Sequence, residues 1–412
     1  MATDPYNHIA IAIPATDELE TLPNLAACLR QQTNRNYTLY ICVNQPDEWH
    51  TSPDEHQRAT CRNNEALLNL LPRLCPEATI IDRSSPGHGW TGRKRGVGWA
   101  RKTLFDAIAA TCSPNTIVAS LDADTTVDEN YCQTLLDSFN KHPHCCAAQI
   151  PYYHQVDIGD GSGQGRVEVL STSGQGRVEV LSTSNRALFR YECYMRHYFI
   201  NLLRISNPYA ISALGSAMAF PLWAYRRVGG ITPLAGGEDF YLMQKFAKTG
   251  LILNDISAIV YPSSRVSHRV PFGTGPAVDM GLATQSERYP FYNPASFDLV
   301  AETFATMPHL YSGDTETPMS DFLRQQTGSD DLWGPLRRNF KTINHFVRAC
   351  AEKVDGLRIL QYLRTMQAQL PPVEPPVDFV TDPIESISEY RNSLYLKEIA
   401  LRDEKKYSGN GC

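Results

Sequence analysis

The sequence predicts an α/β protein with a mostly parallel sheet flanked by helices and a helical C-terminal region. Three observations predict it. Apolar strand-like runs alternate with helical patterns from His8 to Asp124, polar and glycine-containing turns separate them, and from about Phe297 onward the glycines thin out and helical spacing dominates.

Taken in order, "HIAIAIPA" is a short buried-type strand, "TLPNLAACLRQQ" has apolar residues at helical spacing, and "YTLYICVNQ" is a second strand, which makes a βαβ opening. "NEALLNLLPRL" reads as helix, "ATIIDR" as strand, "ARKTLFDAIAA" as helix and "TIVASLDAD" as the next strand. In such sheets ligands bind beyond the carboxyl ends of the strands. Pro14, Asn44, Asp82 and Asp122 are therefore expected to border one cleft.

Length and composition narrow the class. A chain of 412 residues exceeds one usual core, so a large domain with an appendage, or two domains, is expected. The formal net charge of -6 argues against a nucleic-acid partner, so anion binding must be local. The 11 cysteines form no C-x-x-C pair, which suits reduced thiols and a cytoplasmic setting. The N-terminal stretch lacks the basic and apolar regions of a secretory signal, and no run reaches the roughly 18 apolar residues of a membrane span.

Residues 162–183 repeat an eleven-residue unit without a difference, "SGQGRVEVLSTSGQGRVEVLST", as expected of a recent or artefactual tandem duplication. Two copies bury no core, so this is not a solenoid. A hairpin or loose loop is the expected shape, and a helical extension is the alternative. In "NRALFRYECYMRHYFINLLR", Tyr191, Tyr194 and Tyr198 fall at helical spacing, which predicts an aromatic packing face with solvated arginines. "PPVEPPV", at 371–377, is a stiff connector before a charged final helix.

Several chemistry-bearing motifs compete. Asp122 and Asp124, two apart at a strand end, should point the same way and repel unless solvated or joined by a cation. Gly87, Gly89 and Gly92 match G-x-G-x-x-G, but after the third strand rather than the first, and the P-loop residues are missing. What remains is a turn with Arg93, Lys94, Arg95, Arg101 and Lys102, a local cationic partner for a diphosphate. "HPHCC" lacks the second ligand pair of a structural zinc site. "LDADTTV" also fits the opening of a haloacid-dehalogenase-like phosphatase with Asp122 as nucleophile, although that motif would then sit late in its domain.

The combination best resembles the family-2 glycosyltransferases of the GT-A fold, over about residues 8–275. The resemblance rests on "IAIPATDELETLPNLAACLRQQ", "LDADTTVDENY" and "GGEDFYLMQKFAKTG" in that order. It implies a GT-A domain over 1–299, and the helical spacing beyond it predicts a helical region over 300–412. It also implies a donor site of Pro14, Ala15, Glu18, Asn44, Arg93, Lys94, Arg101, Asp122, Gly215 and Ser216, which would hold a nucleotide sugar. Asp124 and Asp122, with His268 as a further candidate, would bind Mn2+ or Mg2+, whose hardness suits carboxylate oxygens. Asp239, beside Glu238, would be the base for inverting transfer to a carbohydrate, lipid-linked or small-molecule acceptor. A lipid-linked acceptor would bring peripheral contact with the inner face of a membrane. "VNQPDEW" departs from the aspartate-rich turn common after the second strand, which leaves the nucleotide base open. A non-catalytic nucleotide-sugar-binding protein is the rival of a different class.

Overall fold

The computed structural model describes residues 5–155, 183–212, 214–234, 236–254, 256–264, 277 and 279–410. The duplicated segment, apart from the backbone of Thr183, and His268 with its neighbours Arg265 and Arg269 lie outside the described residues.

Strands β1 (Ile9–Ala15), β2 (Tyr37–Asn44), β3 (Thr79–Arg83) and β4 (Ile117–Ser120) are mutually parallel where they pair, with Ile13 opposite Ile41. The remaining strands are β5 (Thr126–Val127), β6 (Cys145–Gln149), β7 (Met218–Pro221), β8 (Leu251–Leu253), β9 (Val260–Tyr261) and β10 (Tyr407–Gly409). They complete an eight-stranded sheet in the order β10-β8-β6-β7-β4-β1-β2-β3 and a separate β5-β9 pair. Strand β7 runs antiparallel to β4 and β6, and β10 antiparallel to β8. The α/β class and the mostly parallel sheet match the sequence expectation.

Helices α1 (Leu22–Arg30), α2 (Glu55–Leu74), α3 (Val97–Thr111), α4 (Tyr131–Lys141), α5 (Thr183–Arg204), α6 (Leu222–Arg227) and α7 (Glu238–Thr249) connect these strands. The alternation along β1 shows why they sort to two faces. Ile9, Ile11 and Ile13 join Leu22, Leu25, Leu67 and Leu135 in one core, while Ala10 and Ala12 face a second core with Leu104, Phe105 and Phe220. The small alanines let α3 pack close over β1.

The C-terminal part is helical: α8 (Gly281–Arg288), α9 (Pro294–Thr306), α10 (Ser320–Thr327), α11 (Gly334–Asn339), α12 (Ile343–Lys353), α13 (Gly356–Met366) and α14 (Ile384–Glu404). Two features extend the sequence reading. Helix α9 runs across the boundary expected at 299/300, and the last residues form β10 on the sheet edge, so the region shares both core and sheet with what precedes it. Three residues of strand carry too little periodicity to be read locally; pairing with β8 creates them.

Two of the arginines expected to be solvated on α5, Arg190 and Arg196, are in fact buried, while Arg204 is exposed. Arg196 and Glu192 are fully enclosed, and Arg190 is nearly so. Glu192 accepts from Arg196 at 2.8 Å, from Arg391 of α14 at 2.8 Å and pairs with His154 at 2.7 Å, while Glu398 pairs with Arg196 and, at 2.7 Å, with Arg402. Buried charge persists when paired and hydrogen-bonded. Here the pairing clamps α14 along α5, a long-range partnership invisible to a local pattern.

Candidate active site

The parallel strands deliver their carboxyl ends to one edge of the sheet, so Ala15, Asn44, Arg83 and the residues after Ser120 are neighbours there. Strand β4 ends at Ser120, and Asp122 and Asp124 occupy the turn beyond it, where Thr125 N donates to the Asp122 carbonyl at 3.1 Å. The same-face argument from strand alternation therefore does not apply: the aspartates are aimed by a turn. Both carboxylates are partly exposed. The turn leads straight into β5, whose partner β9 precedes the undescribed residues 265–276.

Arg101, on α3, is the centre of the site. It is 4% exposed, donates from Nη2 to Asp122 Oδ1 at 2.6 Å, and donates from Nη1 to Glu238 Oε1. One buried guanidinium thus ties the D-x-D turn to the glutamate-aspartate pair, although the two motifs lie far apart in sequence. Burial works against the charged form of Arg101, but Asp122, Glu238 and Asp239 outweigh it and raise its pKa. Burial pushes the Glu238 carboxyl above the usual glutamate range; Arg101 pulls it back, and Asp239 adds to the rise.

Gly215 shows how tightly this clamp is packed. A Cβ there would sit 2.1 Å from Arg101 Nη2, so only glycine lets the chain pass over the guanidinium. Ser216 beside it is buried, and its Oγ, like those of Ser120 and Thr125, lacks a hydrogen-bond partner among the described residues. Glu238 and Asp239 open α7 after Gly237, whose φ of 76° is left-handed. Asp239 is partly exposed, and its Oδ1 accepts from Phe240 N at 2.7 Å.

At the other strand ends, several expected donor contacts have structural partners. Asn44 is buried, donates to the Ala15 carbonyl at 3.0 Å and accepts from Trp90 Nε1 at 3.1 Å. Asp82 accepts from Ser84 N at 2.8 Å and Ser85 N at 2.9 Å; burial alone would raise its pKa, but these turn hydrogen bonds lower it. Pro14 and Ala15 are buried in β1, and buried Glu18 accepts from Thr21 Oγ1. Asp17 between them takes a left-handed φ of 60°, held by Asn64 Oδ1 on its N–H at 2.9 Å and Asn63 on its carboxylate at 2.7 Å.

Arg93 and Lys94 are exposed on the turn before α3, with Lys94 Nζ 5.4 Å from the Trp99 ring centre. The G-x-G-x-x-G run does not open a helix on a phosphate: Trp90 N donates to the Gln45 carbonyl at 2.8 Å, and a Cβ on Gly89 would meet Asp47 backbone at 2.7 Å. "GSDD" at 328–331, which could pose as the distal metal motif of the phosphatase reading, is equally local. Gly328 ends α10, and Asp331 Oδ1 accepts from Gly334 N at 2.7 Å.

Sequence reasoning missed Trp90 and Asn64. Asn64 is fully buried on α2 and donates to Gln45 Oε1 at 2.7 Å. A polar residue on the apolar face of a helical pattern was the available signal. Among the described residues no three His, Cys, Asp or Glu side chains group as a metal site, so Asp122 and Asp124 would need a further ligand from a substrate or from outside those residues.

No protein-family model matches the chain, and no curated protein matches it. Solved structures similar to it include TarS 1–349 from S. aureus in complex with UDP-GlcNAc, at 10% identity and a TM-score of 0.39, with 96% of this chain and 91% of that one covered. The mannosyltransferase PcManGT from Pyrobaculum calidifontis, in complex with GDP-Man and Mn2+, is 13% identical with a TM-score of 0.33, covering 98% of this chain and 88% of that one. At TM-scores below 0.5, the chemistry has to be read from this chain's own residues.

Proposed function

We propose that the chain is a divalent-metal-dependent glycosyltransferase of the GT-A type, akin to the family-2 enzymes, transferring a hexosyl unit from a nucleotide sugar to an acceptor hydroxyl with inversion. The observation that carries this reading is the Arg101 clamp, which gathers the carboxylates of the D-x-D turn and of Glu238 at the carboxyl edge of a parallel sheet. In this reading residues 1–299 form the transferase domain, 300–412 form a helical region joined to it, and 371–377 is the connector. The setting is cytoplasmic, with an acceptor that is a carbohydrate, a lipid-linked saccharide or a small molecule.

The donor set fits a hard cation. Asp122 keeps its second oxygen outside the Arg101 pair, Asp124 is partly exposed, and both are carboxylates. Asp124 and Asp122 would hold Mn2+ or Mg2+, with His268 as a candidate third ligand, and the cation would supply charge neutralisation at the diphosphate. Arg93 and Lys94 add cationic donors to the same leaving group. Gly215 gives its space to the Arg101 guanidinium rather than to the donor sugar, buried Ser216 lies beside it, and Pro14, Ala15, Glu18 and Asn44 shape the nucleoside end. Because Asp239 Oδ1 is held by Phe240 N–H, Oδ2 is the oxygen we assign to take the acceptor proton. As the acceptor oxygen bonds to the anomeric carbon, the bond to the diphosphate oxygen breaks. A single displacement of this kind inverts configuration. Glu238, buried and clamped, positions Asp239 rather than touching substrate.

Calorimetry with UDP, GDP, TDP and CDP tests this, with Mn2+, with EDTA, and for Asp124→Ala. One nucleotide should bind only with metal and only to the unaltered protein. Binding of none would remove the transferase reading. Asp239→Asn should retain donor binding while losing turnover by roughly a hundredfold or more, as expected when a general base is removed.

A further inference from the structure

We propose that the cavity walled by Glu287, Arg288, Tyr289, Tyr292, Arg364 and Gln367 is a binding subsite for an acidic oligosaccharide, an inference that rests on the transferase reading above. The cavity measures about 410 Å³, within the range of ligand sites. Two separate parts of the chain build it: the end of α8 with the segment that follows, and the last turn of α13 with the residue after it.

Its chemistry suits a charged sugar. Tyr292 is buried and Tyr289 partly so, giving an aromatic floor, while Arg288, Arg364 and Glu287 are exposed around it. Tyrosine rings offer rigid amphipathic contact area, and guanidinium groups pair with carboxylate or phosphate in a planar fork. Two cations against one anion make the rim locally positive on a chain whose net charge is -6. The Arg288 guanidinium carbon lies 6.0 Å from the Tyr289 ring centre, so a cation is held over the floor.

The cavity also borders α5. Tyr289 meets Tyr191 edge to face with ring centres 5.0 Å apart, and Tyr191 projects from α5. The region is braced: Val373 N donates to the Phe291 carbonyl at 2.8 Å, and Asn293 Nδ2 to the Pro371 carbonyl at 3.2 Å. The proline-rich connector thereby fixes the segment that carries Tyr289 and Tyr292.

Titration calorimetry of the full chain with hyaluronan tetrasaccharide and with chitotetraose tests the inference, since one probe carries carboxylates and the other does not. The acidic probe should bind more tightly, about tenfold. Arg364→Gln and Arg288→Gln, both at exposed positions, should each weaken it by about tenfold, and Tyr289→Leu should weaken both probes. Binding of neither probe, equal binding of the two, or acidic-probe binding unmoved by the arginine variants would overturn the subsite. Nucleotide binding with Mn2+, measured on the same variants, should be unchanged. That readout separates failure of the subsite from failure of the transferase reading, which depends on Asp124.

Discussion

Arg101 carries more of this site than any other residue, because a buried guanidinium with two carboxylate partners has no low-cost replacement. Arg101→Met strands the Glu238 carboxylate in a buried position without its partner, and breaking a buried pair costs about 3–5 kcal/mol. Urea unfolding should register that loss. An Arg101→Met/Glu238→Leu double variant should recover much of it, since paired apolar replacements are often neutral, while turnover stays lost. Recovery of turnover would separate the clamp from function. Gly215→Ala tests the same contact from the other side: its Cβ displaces the guanidinium, and overpacking of this kind typically costs about 1–3 kcal/mol. Of this cluster, the sequence offered the acidic motifs and the arginine, but it assigned the arginine to the diphosphate. Burial and the two-sided pairing exist only after α3 packs on β1 and α7 closes over it.

At the scale of elements, the lock between α5 and α14 makes a pH prediction. Burial alone would raise the Glu192 carboxyl, but Arg391 and Arg196, with His154, overcome it and hold its pKa well below the ordinary 4.5. A carboxylate depressed in the folded state contributes stability that is present above its unfolded value and disappears as pH falls through its folded value. Glu192→Gln should therefore be markedly less stable than the unaltered chain at pH 7, and the gap should close as pH drops below about 4. Thermal melts from pH 7 to pH 3 would show it, and a gap independent of pH would contradict the pairing. The final strand makes a second prediction. Ending the chain at Lys406 uncovers the edge of β8, so aggregation on warming should increase while donor binding persists. No local pattern announces either feature: Arg196 of α5 sits at a position that reads as solvated until α14 covers it.

For the whole molecule, the balance of charge decides where anions can go. The chain is acidic overall, yet Arg93 and Lys94 project from one exposed turn beside the carboxyl edge of the sheet. Replacing both with glutamine should weaken nucleotide binding about tenfold and flatten its salt dependence, because exposed charges act through a screened field. Titrations at two salt concentrations would check it. Among the described residues no helix is long and apolar enough to cross a membrane. By itself the sequence determined the α/β class, the order of the first four strands and their helices, the helical C-terminal part and the acidic motifs. Those depend on periodicity and on residue types within a short window, which local sterics and burial enforce. The tertiary structure decided the rest: the Arg101 clamp, the turn rather than strand geometry at Asp122 and Asp124, the buried ion network on α5, and the strand added at the C-terminal end. Each of these joins residues distant along the chain, and pairing energies in a low-dielectric interior arise only once packing has removed the water between them.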